Sequence, residues 1–423
     1  MALPVSGQQT QAKGDTQRHR FGFWSVAMAY FVVMAFSTVP SPLYGLYRAR
    51  DGFSPFLITI IYAAYAIGVI SGLLFAGHLS DWYGRRRVLL PAVAVSIVSA
   101  AVFLLWRDLP GLLLARVIDG LSVGVVTATA TTYLGELHTI GSPNAGTRGA
   151  QLVATAGNLG GLGFGPLVAG ILAEWVGSPL TVPFIVFLGL LFVALGVVFL
   201  SPETRPALDP IPSYRIQRLS VPEEARGTFA AAGVAAFIAF GAFGLFTALS
   251  ATFLIALNHS SHALAGAALA SIFVGGVTAQ ATVRAWTPRP AIALGMGLMV
   301  VGLTLTVVAT WLSHPSLALF LAGGVVTGAG GGAVFKGALG TVIAISSPET
   351  RAETIAGLFL AAYLGLSVPA VGAGIALTLT TSRVTLLGFA LLVGLGIVAA
   401  APRLLRREPA PSTVRAGRIA ADA

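Results

Sequence analysis

Two oppositely charged side chains, Arg116 and Asp119, stand alone in a run from Pro110 to Leu134 that is otherwise free of charge. Their i, i+3 spacing puts them on one face of a helix, close enough to interact. A run of that length crosses a bilayer, where a lone charge is costly, so the pair must face the bundle interior or a water-filled cavity. Two kinds of chemistry fit. Asp119 either serves only as the counter-ion of Arg116, or it takes up and releases a proton as it is exposed to alternate sides of a membrane.

Further polar groups stand in apolar runs. The chain has two lysines, and one of them, Lys336, follows the glycine-rich run Gly328–Gly332 inside a long apolar stretch. Its stem either snorkels to the nearer surface or carries the ammonium into a cavity, where it would bind an anionic substrate or pair with a carboxylate. Tyr30 and Asn158 are candidate cavity groups, with Gln151 and Gln280 beside them, although a lone amide also satisfies a neighbouring helix. Phe240, Phe243, Phe246 and Phe253 are either core or the wall of a site for amphipathic compounds. His259, His262 and His314 are too scattered for a metal site.

The elements that must position these groups are helices in a membrane. Of 423 residues 56% are hydrophobic and 9% charged, far below the charge of a soluble domain. With no cysteine, neither disulfides nor thiolate-ligated metals are available. The formal charge of +10 does not point to nucleic acid, because the arginines sit in loops and tails beside apolar runs. No cleavable signal is evident: residues 1–20 are polar and precede an apolar run too long for a signal core. Twelve spans are expected near residues 22–46, 54–76, 88–106, 110–134, 150–173, 180–200, 228–257, 263–283, 290–312, 316–343, 352–376 and 384–402. With both termini cytoplasmic, Arg48, Arg50, Arg107 and Arg383 fall in external loops and Arg116 and Lys336 within spans. Every other Lys and Arg falls inside, as cytoplasmic loops require.

The stretch 201–227 carries five prolines and reads as a cytoplasmic linker between bundles 21–200 and 228–402. The tails, 1–20 and 403–423, read as cytoplasmic, the first of them disordered. Aligning Arg148 with Arg351 also aligns Pro166 with Pro369, so the halves read as a parallel repeat, the kind that carries a site at its interface.

The most specific motif is the loop Gly77–Val88, a polar island between two uncharged runs. Gly77, Leu79, Asp81, Gly84, Arg85 and Arg86 fall on G-x-L-x-D-x-x-G-R-R. On these residues the chain resembles the major facilitator superfamily. Leu112, Arg116, Gly120 and Gly124 resemble the fourth-span motif of its proton-coupled members, in which the arginine is tied to proton transfer. Asp119 departs from that pattern, since relatives usually carry an uncharged polar residue there. Gly161, Gly165, Pro166 and Gly170 resemble the core of the antiporter motif, with Ala169 in place of one glycine and Leu152 in place of the first.

The resemblance implies an all-α membrane protein of twelve transmembrane helices in two six-helix pseudo-repeat bundles. It also implies a gate in which Asp81, Arg85 and Glu136 latch the halves when the protein is open outward, with Asp81 facing the start of span eleven near Arg351. The expected function is proton-coupled export of a drug-like or secondary-metabolite molecule across the cell membrane, by a monomer. Its partners would be the substrate, protons and lipid, with no nucleic acid. No P-loop or hydrolase pattern appears, so no enzyme activity, cofactor or metal is expected, and an ion gradient supplies the energy. An uptake symporter for a sugar, organic acid or similar nutrient is the alternative reading. A non-transporting receptor is a second, for which the linker and tails leave no room for a signalling domain.

Overall fold

The computed structural model describes residues 5–143, 145, 146, 148–216, 221, 223–347 and 351–406. Twelve helices among them are long and apolar enough to cross a membrane. They are α1 (Asp15–Asp51), α2 (Pro55–Tyr83), α3 (Arg85–Leu105), α4 (Leu109–Gly141), α5 (Gly149–Trp175) and α6 (Val182–Leu200). The second set is α7 (Glu223–Ala256), α8 (His262–Ala285), α9 (Pro288–Trp311), α10 (Leu317–Ile345), α11 (Glu353–Leu379) and α12 (Ser382–Leu404).

Several boundaries differ from those expected. The first helix starts at Val5 and runs to Thr38, so residues 5–20 are not a disordered tail. No proline interrupts residues 5–38, and extending an existing helix costs far less than starting one. Within that extension the His19 ring Nδ1 meets the Asp15 carbonyl at 2.7 Å. The helix α7 begins at Glu223, inside the stretch read as linker. Most of the expected C-terminal tail, 407–423, lies outside the described residues, as do 217–220 and 222 of the linker. The α2 and α5 spans each contain one widened π-helical turn, at Gly72–Ala76 and Ala156–Gly160.

The pairing of helices repeats. In the first half α4 packs on α1, α2 and α3, while α1 also packs on α5 and α6, and α3 on α6. In the second half α10 packs on α7, α8 and α9, while α7 also packs on α11 and α12, and α9 on α12. The largest contacts between the halves are those of α2 with α11 and α5 with α8; the end of α1 also touches α7 and α8, and α2 touches α7. The most apolar window of α1 is 83% buried and that of α7 72%, against 28% for α12, so α1 and α7 are central and α12 faces outward.

Lipid tails are as apolar as leucine, so helices in a membrane associate through close packing of small residues. Glycines supply it here. A Cβ on Gly68 would lie 2.1 Å from the Val117 carbonyl, and one on Gly120 2.0 Å from the Tyr65 carbonyl, so α2 and α4 touch backbone to backbone. The equivalent pair α8 and α10 is built the same way, with Gly275 against Val325 and Gly328 against Ile272.

Candidate functional site

The glycine seam between α2 and α4 places Arg116 one turn from Gly120 and directly beside the tyrosines of α2. Its guanidinium lies 4.5 Å from the ring centre of Tyr65 and 5.8 Å from that of Tyr62. The Arg116 Nη1 donates to the Ser37 carbonyl of α1 at 2.7 Å and to Asp119 Oδ2 at 3.1 Å. Both side chains are buried, with Arg116 1% and Asp119 0% exposed. Asp119 Oδ1 and Arg116 Nε have no hydrogen-bond partner. The pair is therefore an incompletely satisfied buried ion pair, an arrangement that responds strongly to loss of either charge.

Arg116 forms part of the wall of a central cavity of about 180 Å³ between the halves, whereas Asp119 lies behind it. Tyr30 and Asn158 also line this cavity, and the Asn158 amide donates to the Tyr30 hydroxyl at 2.7 Å. The second half contributes Phe240, Phe243, Phe273, Phe335, Phe359 and Tyr363, so its side of the deep chamber is mostly aromatic. Phe246 and Phe253, by contrast, are buried in the core. Toward the end that carries the loop 77–87 and the linker, the cavity continues into a wider chamber of about 590 Å³. Lys336, Gln151 and Arg284 line that outer chamber, and Gln280 lines both. Lys336 thus stands apart from Arg116, Tyr30 and Asn158, nearer the mouth.

The opposite end is shut. Glu174 at the end of α5 accepts from the backbone N–H of His262 at 2.7 Å and from the Ser261 hydroxyl at 3.2 Å, at the start of α8. One turn deeper, a Cβ on Gly170 would lie 2.4 Å from the His262 carbonyl, and one on Gly266 2.2 Å from that of Pro166. On the other side of the seam, Gly374 of α11 abuts Thr59 of α2. The protein is therefore closed at this end and open at the linker end.

The four residues that resemble the antiporter motif divide between two neighbours. Gly161 and Gly165 lie against α1, where their added Cβ atoms would meet the carbonyls of Phe31 and Ala35, while Gly170 meets α8 across the seam. Pro166 stands inside an unbroken helix, Gly161–Trp175. It has no N–H, so it leaves the Leu162 carbonyl without its usual donor. The Thr38 hydroxyl lies 3.0 Å from that carbonyl and shares its one proton between it and the Ala35 carbonyl of its own helix, at 3.1 Å.

The junction of α2 and α3 forms a charge cluster that brings Asp81, Arg85 and Glu136 together and gains a further partner from the linker. Arg85, 2% exposed, pairs with Glu136 at 2.8 Å and Asp81 at 2.9 Å. Asp81 also pairs with Arg205 of the linker at 3.1 Å. In this state, open at the linker end, these ion pairs lie within the first half and the linker; the latch expected of the outward-open state would form only once that end closes. The linker completes the cluster: Glu203 accepts from the backbone N–H groups of Arg85 and Arg86 at 2.8 and 3.1 Å, capping the start of α3, and Thr204 bonds Glu136. Gly84 has φ 103°, a conformation that favours glycine, and a Cβ there would lie 2.7 Å from Glu203 Oε2. Gly77 packs against Leu73 and Ala128, and Arg86 donates to the Phe199 and Ser201 carbonyls.

Glu203, Arg205 and Glu174 escape a reading of the sequence. Their partners lie far away in the chain and no local spacing announces them; the one signal is that Glu203 and Arg205 follow α6 directly, on the side of the arginine loop.

Twelve spans in a repeated pairing around a central two-chambered cavity define a multi-pass membrane protein of transporter architecture. A family model described as Major Facilitator Superfamily matches residues 26–301, and the chain belongs to that family. The nucleoside transporter NupG superposes with a TM-score of 0.69 at 13% identity, covering 90% of this chain and 99% of that one. The human organic anion transporter MFSD10 gives 0.64 at 19% identity with the same coverage. In sequence, the chain is 33% identical to the arabinose-proton symporter of Bacillus subtilis over 100 residues, 24% of this chain and 22% of that protein. It is 30% identical to the cephamycin export protein CmcT of Amycolatopsis lactamdurans over 180 residues, 42% of this chain and 36% of that one. The matches span well under half of either relative.

Proposed function

We propose that this chain is a secondary active transporter of the cell membrane, with both termini cytoplasmic, that exports a drug-like or secondary-metabolite small molecule in exchange for protons. The observation that carries this reading is the buried Arg116–Asp119 pair, whose arginine forms part of the wall of a cavity that is shut at one end and open at the other. Opening the Glu174 seam and closing the linker end would present the same cavity to the other side, which is alternating access by rocking of two repeats. In one state the Asp119 carboxylate neutralises Arg116. In the other, water reaches the pair and the carboxylate takes up a proton from the outer side, which it releases to the cytoplasmic side when the ion pair with Arg116 forms again. Each elementary charge moved down a potential of 100 mV yields about 2.3 kcal/mol.

Export is favoured by the likeness to the cephamycin exporter and by the antiporter-like glycines of α5. Uptake by symport is the second reading, favoured by the likeness to the arabinose-proton symporter. Transport of a panel of hydrophobic antibiotics, a cephamycin included, into everted vesicles separates the two. Antiport predicts accumulation against the compound's gradient with alkalinisation of the lumen, and its loss when the proton gradient is collapsed; symport predicts co-directional movement of compound and proton.

A further inference from the structure

The two chambers carry cations without matching acids. No aspartate or glutamate is among the described residues lining either one. Of the three lining cations, Arg116 already has Asp119 at 3.1 Å. Lys336 and Arg284 line the outer chamber, and no ion pair joins either to a described acid. Lys336 stands on the glycine-rich face of α10, between Phe335, which lines both chambers, and Leu339. Its ammonium therefore sits where the aromatic pocket gives way to the wet vestibule.

While the linker end is open, water screens these charges. Closing that end around them would bury positive charge without a counter-ion, which a low-dielectric site resists. An anionic substrate removes the obstacle by bringing the missing charge, and its apolar body would replace water against the phenylalanines of the deep chamber. A cationic compound would meet like charge at the mouth and find no carboxylate inside.

Building on the reading of this cavity as a transport site, we propose that it binds small organic anions, with the anionic head at Lys336 and Arg284 and an aromatic or other apolar body reaching toward Phe240 and Phe359. The site thereby selects for one negative charge over a neutral or positive analogue of the same shape.

The test uses three probes that share a naphthalene body: 2-naphthoate, 2-naphthamide and 2-naphthylmethylamine. Binding to the full-length protein is measured by calorimetry in phosphatidylcholine nanodiscs, whose neutral lipid offers no competing anionic headgroup. The expected result is that 2-naphthoate binds about tenfold or more tightly than the other two, that Lys336→Gln reduces its affinity to that of the amide, and that Lys336→Arg keeps the preference. An unchanged thermal midpoint of unliganded Lys336→Gln confirms that the loss is not unfolding. Equal binding of the three probes, no binding of 2-naphthoate, or a preference that survives Lys336→Gln overturns the proposal. Because no proton gradient is imposed, a failure here is distinct from a failure of proton-coupled export, which flux measurements read.

Discussion

The Thr38 hydroxyl of α1 donates to the Leu162 carbonyl of α5 at 3.0 Å, at the one position in that helix where Pro166 removes the backbone donor. A proline in the helix interior and a threonine more than a hundred residues earlier thus form one unit, and they fix α5 against α1 beside the cavity. Thr38→Val keeps the shape and removes the donor. It should destabilise the protein by about 1 kcal/mol and lower its thermal midpoint, whereas Thr38→Ser should not. Thermal unfolding of both variants in the same detergent checks this.

The two glycines on opposite sides of α5 predict different failures. Gly165 lies so close to the Ala35 carbonyl that Gly165→Leu should prevent α1 and α5 from packing and abolish the folded protein. Gly170 and Glu174 hold only the seam with α8, so Gly170→Ala and Glu174→Gln should leave a folded protein whose shut end opens more often. The natural chain has no cysteine, so a single Thr247→Cys in the cavity wall is a clean reporter. An impermeant maleimide added opposite the linker should label it faster in either variant.

In the charge cluster the two acids around Arg85 are not equivalent. Asp81 is half exposed and its pairs are solvated, so Asp81→Asn should cost under about 1 kcal/mol of stability while slowing turnover. Glu136 bridges Arg85 and Thr204 at a more buried position, and Glu136→Gln should cost about 1–3 kcal/mol. Glu203→Ala should cost about as much as Glu136→Gln, since it removes the cap of α3. Unfolding midpoints compared with initial transport rates test the ranking.

The parts of this molecule that a sequence reveals are those encoded locally. Uncharged runs long enough to span a bilayer gave the helices, and the island Gly77–Val88 marked the junction of two spans because three consecutive arginines belong at a membrane surface. The i, i+3 spacing of Arg116 and Asp119 placed them on one face, but only packing decides which of them the cavity meets: the guanidinium reaches past Tyr65 into the cavity wall, and the short carboxyl stays behind it. The prolines of the linker mark a break in the helix but say nothing of where Glu203 and Arg205 dock. The helical start of α1 was missed for the opposite reason, since a polar segment joined to a stable helix inherits its nucleus.

The most direct test of the account is proton movement coupled to export. Proteoliposomes holding the wild type or Asp119→Asn are loaded with a pH-sensitive dye, and a transported antibiotic is added with and without an imposed pH gradient. The account predicts that the wild type moves protons opposite to the compound and concentrates it only under the gradient, while Asp119→Asn carries the compound downhill with no proton signal. Proton exchange of wild-type size in Asp119→Asn, or wild-type transport indifferent to the gradient, would contradict it.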